Sequence, residues 1–250
     1  MLDTKPSYTA QLISRSLVLL SKIPKLSQLV APDVAETNKH FIKEFKTRPY
    51  FLRGINKSWY RSLLRLRERI FVPGLILHLG LRKRYIEDLT LQALENGTTQ
   101  VVVLGAGYDT LAYRLHRKHP QVTFLEIDHP ASQKLKVNSL SELELGENLN
   151  LVANDFMKRS LKDCLEQCEY FDSNKKTLFV AEGLFMYLGE KEVTSTLKQI
   201  KQFTGSQLIF TYFETQSVIE SRTWLQRLLS KLIIRIKGGE AWTWIIDKKW

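Results

Sequence analysis

The stretch Val101-Val102-Val103-Leu104-Gly105-Ala106-Gly107-Tyr108-Asp109-Thr110 decides how this chain is read. Four apolar residues in a row, ended by glycine, suit a strand buried on both faces. The two glycines let the backbone turn tightly and come close to a ligand. A second run, Val122 to Ile127, ends Glu126-Ile127-Asp128. Asp128 stands 21 residues beyond Gly107, where an acid after the second strand can accept hydrogen bonds from ribose hydroxyls. Loop, strand context and acid together point to an adenosine-containing cofactor. A tight strand-to-helix turn without a ligand is the alternative.

The loop also narrows the cofactor. A dinucleotide fingerprint needs a third small residue to pack helix on strand, and Thr110 stands there. The G-K-[ST] of a Walker loop is absent. S-adenosylmethionine, which has an adenosine, a sulfonium and an amino-acid end but no phosphate, needs no full phosphate cradle.

Further out, Leu149 to Ala153, Thr177 to Ala181 and Gln207 to Phe213 repeat the short apolar run. Helical stretches over 109–119, 130–145, 157–168 and 189–203 lie between them. Five strand and helix alternations predict an α/β fold with a parallel sheet. The first third reads differently. Helical patterns cover 8–22, 33–46 with Asp33 as N-cap, 59–71, and 81–95 closed by Asn96-Gly97. The expected organisation is an N-terminal helical region, 1–98, packed on an α/β domain, 99–250.

Composition limits the classes. The chain has 250 residues, 44% of them hydrophobic, enough for a sizeable core. Lys and Arg number 37 against 26 Asp and Glu. Residues 1–90 hold 17 of those bases and 7 of those acids, so nearly all the excess charge is N-terminal. A basic surface favours anionic partners, although solvated helix faces are the simpler account of it. No run approaches the roughly 18 apolar residues of a membrane span. Cys164 and Cys168 make no disulfide framework, so a cytoplasmic protein is expected. No metal site is expected: the two cysteines lack nearby histidines, and Arg117 and Lys118 separate His116 from His119.

Three segments carry a resemblance: Val102 to Leu115 around Gly-Ala-Gly-Tyr-Asp-Thr, Glu126-Ile-Asp-His-Pro130, and Ala181-Glu-Gly-Leu-Phe-Met-Tyr-Leu188. In these the chain resembles the leucine carboxyl methyltransferase family, and within it the bacterial S-adenosylmethionine-dependent branch. The likeness covers about 75–245. It implies a class I methyltransferase sheet, Rossmann-like, with an N-terminal helical extension. It also implies methyl transfer from S-adenosyl-L-methionine to a carboxylate or hydroxyl on a small molecule or peptide. The alternative is a defective or truncated relative that only binds.

The same resemblance assigns residues. Gly105 and Gly107 would approach the methionine part of the cofactor. Asp128 would take the ribose hydroxyls. Asp155 would accept from the adenine amine and Phe156 would cover the ring, with a helix cap and core packing as their other readings. Glu182 would meet the ammonium end. Arg82 would hold the cofactor carboxylate with its guanidinium fork, with Arg84 as the alternative. Tyr187 is a candidate for orienting the acceptor; no catalytic residue is assigned. The basic N-terminal third, Arg residues 53–69 above all, would suit an anionic acceptor. Nucleic acid is not expected, because Glu182-Gly183-Leu184 stands where a base-flipping Asn-Pro-Pro-Tyr would follow strand four. The family sheet closes with a sixth and a seventh strand, and these find no counterpart before Trp250. The segment 218–236 reads as a basic amphipathic helix.

Overall fold

A computed structural model describes residues 7–45, 50–141, 143, 145–212 and 244. The helix proposed over 218–236 lies outside them. The chain divides into two compact units, and the described residues from Ser7 to Tyr85 and from Ile86 onward fall on either side of that division.

The first unit is helical: α1 (Tyr8–Leu20), α2 (Pro32–Glu44), α3 (Tyr50–Gly54), α4 (Ser58–Phe71) and the first half of α5 (Leu75–Glu95). Ser7 caps α1 by accepting from the Ala10 amide. α2 starts one residue earlier than its polar pattern suggests. Ala31 is the N-cap and Pro32 holds the first turn, because proline sacrifices no hydrogen bond there. Asp33 therefore lies inside the first turn and is not the cap. α5 begins at Leu75, six residues before its sequence signal, since Leu75 to Gly80 is too uniformly apolar to show a helical period. Gly80 lets α5 approach α1: a Cβ there would lie 2.2 Å from Leu20 Cδ2. α4 buries no residue and exposes Trp59, Leu63, Leu66 and Ile70. Arg61 from this helix donates to the carbonyls of Ile55 and Asn56, which holds the preceding turn.

The second unit holds five strands: β1 (Gln100–Leu104), β2 (Thr123–Asp128), β3 (Leu149–Ala153), β4 (Thr177–Ala181) and β5 (Gln207–Phe210). All pair in parallel, in the order β3-β2-β1-β4-β5. Parallel neighbours need helical crossovers. These contain α6 (Leu111–Leu115), α7 (Pro130–Leu140), α8 (Leu161–Glu166) and α9 (Glu190–Ile200), each shorter than its sequence pattern. Every residue of β1 and β4 is buried, because the sheet is covered on both sides. Val101, Val103, Phe124 and Val180 face one core with Ile86, Ala93, Leu111 and Leu115. Val102, Leu104, Leu125 and Phe179 face the other, with Leu161, Leu165, Val193 and Ile200. Cys164 is buried in this second core, and burial pushes its thiol up.

This order sets the position of the site. The chain builds outward from β1 to β3, returns, and builds outward again through β4. The crossovers diverge at β1 and β4, and a ligand crevice opens at the carboxyl ends of such strands. Gly105, Asp128, Asn154 and Glu182 are the residues at or just beyond those ends.

Candidate functional site

The glycine loop hangs from β2. The amides of Gly105 and Ala106 donate to the Ile127 carbonyl at 2.7 and 3.3 Å, and the Gly107 amide donates to Asp128 Oδ2 at 2.9 Å. Gly105 and Gly107 both have positive φ, +64° and +49°, a conformation glycine takes without strain. Asp109 closes the loop. Its amide donates to the Ala106 carbonyl, and its Oδ1 accepts from the Leu111 amide that opens α6. Thr110 occupies the N-cap position without a side-chain cap. Arg114 finds its acid on α5: both terminal guanidinium nitrogens donate to Glu87, at 2.9 and 2.6 Å.

Asp128 is buried at the end of β2, and that burial raises its carboxyl above the ordinary range. The amides of His129 and Gly107 and the charge of Lys136 pull the other way. Tyr108, next in the loop, is also pushed up, by burial and by the charge of Asp128.

The neighbouring strand ends complete the edge. The Asn154 amide donates to the Asp128 carbonyl, which joins the segment after β3 to the end of β2. Asp155 Oδ1 accepts from the Met157 amide and so caps the turn, while Oδ2 lies 3.8 Å from His129 Nε2. Phe156 is half-buried against the second core. Glu182 follows β4 directly and is half-buried. Gly183 has φ +64°, and its amide donates to Thr211 Oγ1. The residue after it, Leu184, lies over the glycine loop: a Cβ on Gly105 would sit 2.9 Å from Leu184 Cδ1. Tyr187 ends the 3-10 turn Phe185–Tyr187 and is half-buried. Trp244 packs edge-on to Phe185, and its amide donates to the Met186 carbonyl.

The structure therefore brings Gly105, Gly107, Asp128, Asp155, Phe156, Glu182 and Tyr187 to one edge of one sheet. Arg82 belongs to the first unit, half-buried on α5. The sequence reading missed Lys136. Its helix buries Ser132, Gln133, Lys136 and Ser139, so the inward face of α7 is polar and carries no hydropathy signal.

The donor set has a chemical meaning. Asp128, Asp155 and Glu182, three carboxylate side chains, stand at or just beyond the carboxyl ends of β2, β3 and β4. Such an edge repels phosphates and accepts from hydroxyl, amine and ammonium donors.

A model of leucine carboxyl methyltransferases matches residues 36–201. The chain belongs to the leucine carboxyl methyltransferase family. Curated relatives within reach include Bacillus subtilis "Putative S-adenosyl-L-methionine-dependent methyltransferase YktD", 34% identical over 135 residues. That match covers 52% of this chain and 44% of the relative. A Mycobacterium avium protein of the same description is 37% identical over 131 residues, covering 51% of this chain and 41% of that one. The matched stretch is thus under half the length of these relatives. In fold, the chain is similar to a crystal structure described as a putative methyltransferase from Thermobifida fusca, with TM-score 0.51 and 18% identity. That likeness covers 74% of this chain and 69% of the other. The likeness is one of fold, an α/β architecture that in this chain holds a five-stranded parallel sheet. Among the described residues no helix is long and apolar enough to cross a membrane.

Proposed function

We propose that this member of the leucine carboxyl methyltransferase family binds S-adenosyl-L-methionine at the carboxyl edge of its sheet and transfers the methyl group. The observation that carries the reading is the set of three carboxylates beside a glycine loop with positive φ. A cofactor with two ribose hydroxyls, an exocyclic amine and an ammonium end, but no phosphate, fits that donor demand. Asp128 would hold the ribose, Asp155 the adenine amine with Phe156 over the ring, and Glu182 the ammonium. Gly105 and Gly107 would leave room for the methionine part. The bound cofactor supplies a methyl group already activated on sulfur, so the protein's part is orientation and exclusion of water.

The acceptor is read as a carboxylate or hydroxyl on a small molecule or peptide. A carboxylate acceptor is ionised near neutral pH and needs no general base. Tyr187 would orient the acceptor. The basic N-terminal third supports an anionic acceptor. The cytoplasm is the compartment that suits two free cysteines.

Calorimetric titration of the purified chain with S-adenosyl-L-methionine tests the reading, with Asp128→Ala as control. Binding that the substitution abolishes supports it, and methyl transfer to a panel of carboxylates and alcohols then finds the acceptor. A folded chain that binds no S-adenosyl-L-methionine overturns it.

A further inference from the structure

Lys136 and Glu126 are both fully buried, at 0% exposure, with Nζ 2.5 Å from Oε2. Lysine and glutamate are the residues least often found in that state. Desolvating such a pair costs several kcal/mol per ion, and apolar side chains of similar volume often do as well or better for stability. Stability alone therefore does not explain the pair, and what else Lys136 touches becomes the question. Its Nζ also donates to the Asp109 carbonyl, at 2.6 Å. Asp109 is the residue that closes the glycine loop. Its amide, its carbonyl and its side chain are all engaged: by Ala106, by Lys136 and by Leu111.

The chain of contacts runs from sheet to helix to loop. Gln133, one turn before Lys136 on α7, donates to the Glu126 carbonyl, so two side chains of α7 grip β2 at the same residue. From that anchored position Lys136 reaches across to Asp109 and fixes the far end of the loop. The near end is fixed at Gly105 by Ile127. Gly107, between the two, lies 2.9 Å from Asp128 as a result. Lys136 is also the buried cation among the carboxylates of Glu126, Asp109 and Asp128, and its charge favours the ionised form of Glu126 and of Asp128. Glu126 Oε1 is buried with no hydrogen-bond donor among the described residues, so Lys136 is the group that compensates this carboxylate.

We propose that Lys136 is a positioning residue for cofactor binding, setting the register of the glycine loop through the Asp109 carbonyl and so the placement of Gly107 against Asp128. The inference rests on reading this edge as the S-adenosyl-L-methionine site. It adds a residue of α7 that acts through the glycine loop.

The test compares wild type with Lys136→Met/Glu126→Met, which replaces the pair by apolar side chains, and with Lys136→Arg. Thermal unfolding and S-adenosyl-L-methionine affinity between pH 5 and 8 are read for each. The groups that face Asp128 are Tyr108 from the loop, Glu126 from its own strand, and His129 and Lys136 from α7. Of these the double variant changes Glu126 and Lys136. The expected result is an unfolding temperature no lower than wild type, affinity reduced about tenfold or more at pH 7, and a pH midpoint of binding moved upward. Where the double variant does not fold, Lys136→Arg decides: it keeps the cation, so the midpoint stays at the wild-type pH while affinity drops several-fold. Unchanged affinity and midpoint in either folded variant overturn the inference and leave the site reading standing. Failure of the wild type to bind S-adenosyl-L-methionine overturns both.

Discussion

Gly107 and Asp128 meet through one hydrogen bond, backbone N–H to carboxylate, across 2.9 Å. The glycine loop after β1 and the acid ending β2 are therefore a single structural object. The same carboxylate that would hold a ribose also holds the loop. Its burial raises its titration, while the two amides and Lys136 limit the rise.

Asp128→Asn keeps the shape and removes the charge. Hydrogen bonds to charged groups contribute about 1.5–3 kcal/mol, so S-adenosyl-L-methionine affinity should fall roughly 10- to 150-fold. In wild type the sign with pH follows from the raised carboxyl: protonation removes an acceptor, so binding weakens as pH falls, starting at a higher pH than an exposed aspartate would give. Titration calorimetry across pH shows both effects, and a flat wild-type profile down to pH 4 would contradict the second.

Gly105→Ala meets two obstacles, a φ of +64° and Leu184 Cδ1 at 2.9 Å. Backbone strain of this kind costs about 1–3 kcal/mol. Adding Leu184→Ala should remove the Cδ1 and Cγ contacts and leave the backbone strain and a Cβ at 3.1 Å, so urea midpoints should rank wild type, double variant, single variant. Equal midpoints for the two variants would show that the collision contributes nothing.

Arg114 and Glu87 form a two-pronged pair, with the guanidinium almost fully buried. Arg114→Met leaves a mostly buried carboxylate unpaired, which costs about 3 kcal/mol. Arg114→Met/Glu87→Met should recover most of that loss. Denaturant unfolding of the three chains measures it, and a double variant as unstable as the single would show that packing, not charge, is what Arg114 supplies.

His116 is buried as the neutral ring. Nδ1 donates to the Tyr113 carbonyl at 2.6 Å, and Nε2 accepts from the Gly146 amide at 3.1 Å. Burial is the main cause that lowers its pKa, with Arg117 adding to it. A lowered histidine contributes stability that is complete above the ordinary value of about 6.5 and is lost as pH falls below it. Unfolding free energy should therefore decline from pH 7 to pH 5, and His116→Gln should flatten that part of the curve. Identical slopes for the two proteins would remove His116 from the account.

Much of the site was legible because its signals are local. A strand buried on both faces needs an uninterrupted apolar run, and β1 and β4 show one. A loop with positive φ at two residues calls for glycine, and Gly105 and Gly107 are there. Helix limits were less legible. α2, α5 and α6 start where capping and packing decide, not where periodicity begins.

What the sequence by itself determined is the α/β alternation, the glycine loop and the acids at the strand ends, because chain geometry and burial act on neighbouring residues. What only the tertiary structure decided is the strand order that lines those acids up along one edge. It also decided the partners of Arg114, His116 and Lys136, each made across 27 to 30 residues of chain. Lys136 is the clearest case. A buried lysine has no pattern of its own, and only the folded chain supplies the carboxylate and the carbonyl that make its burial possible.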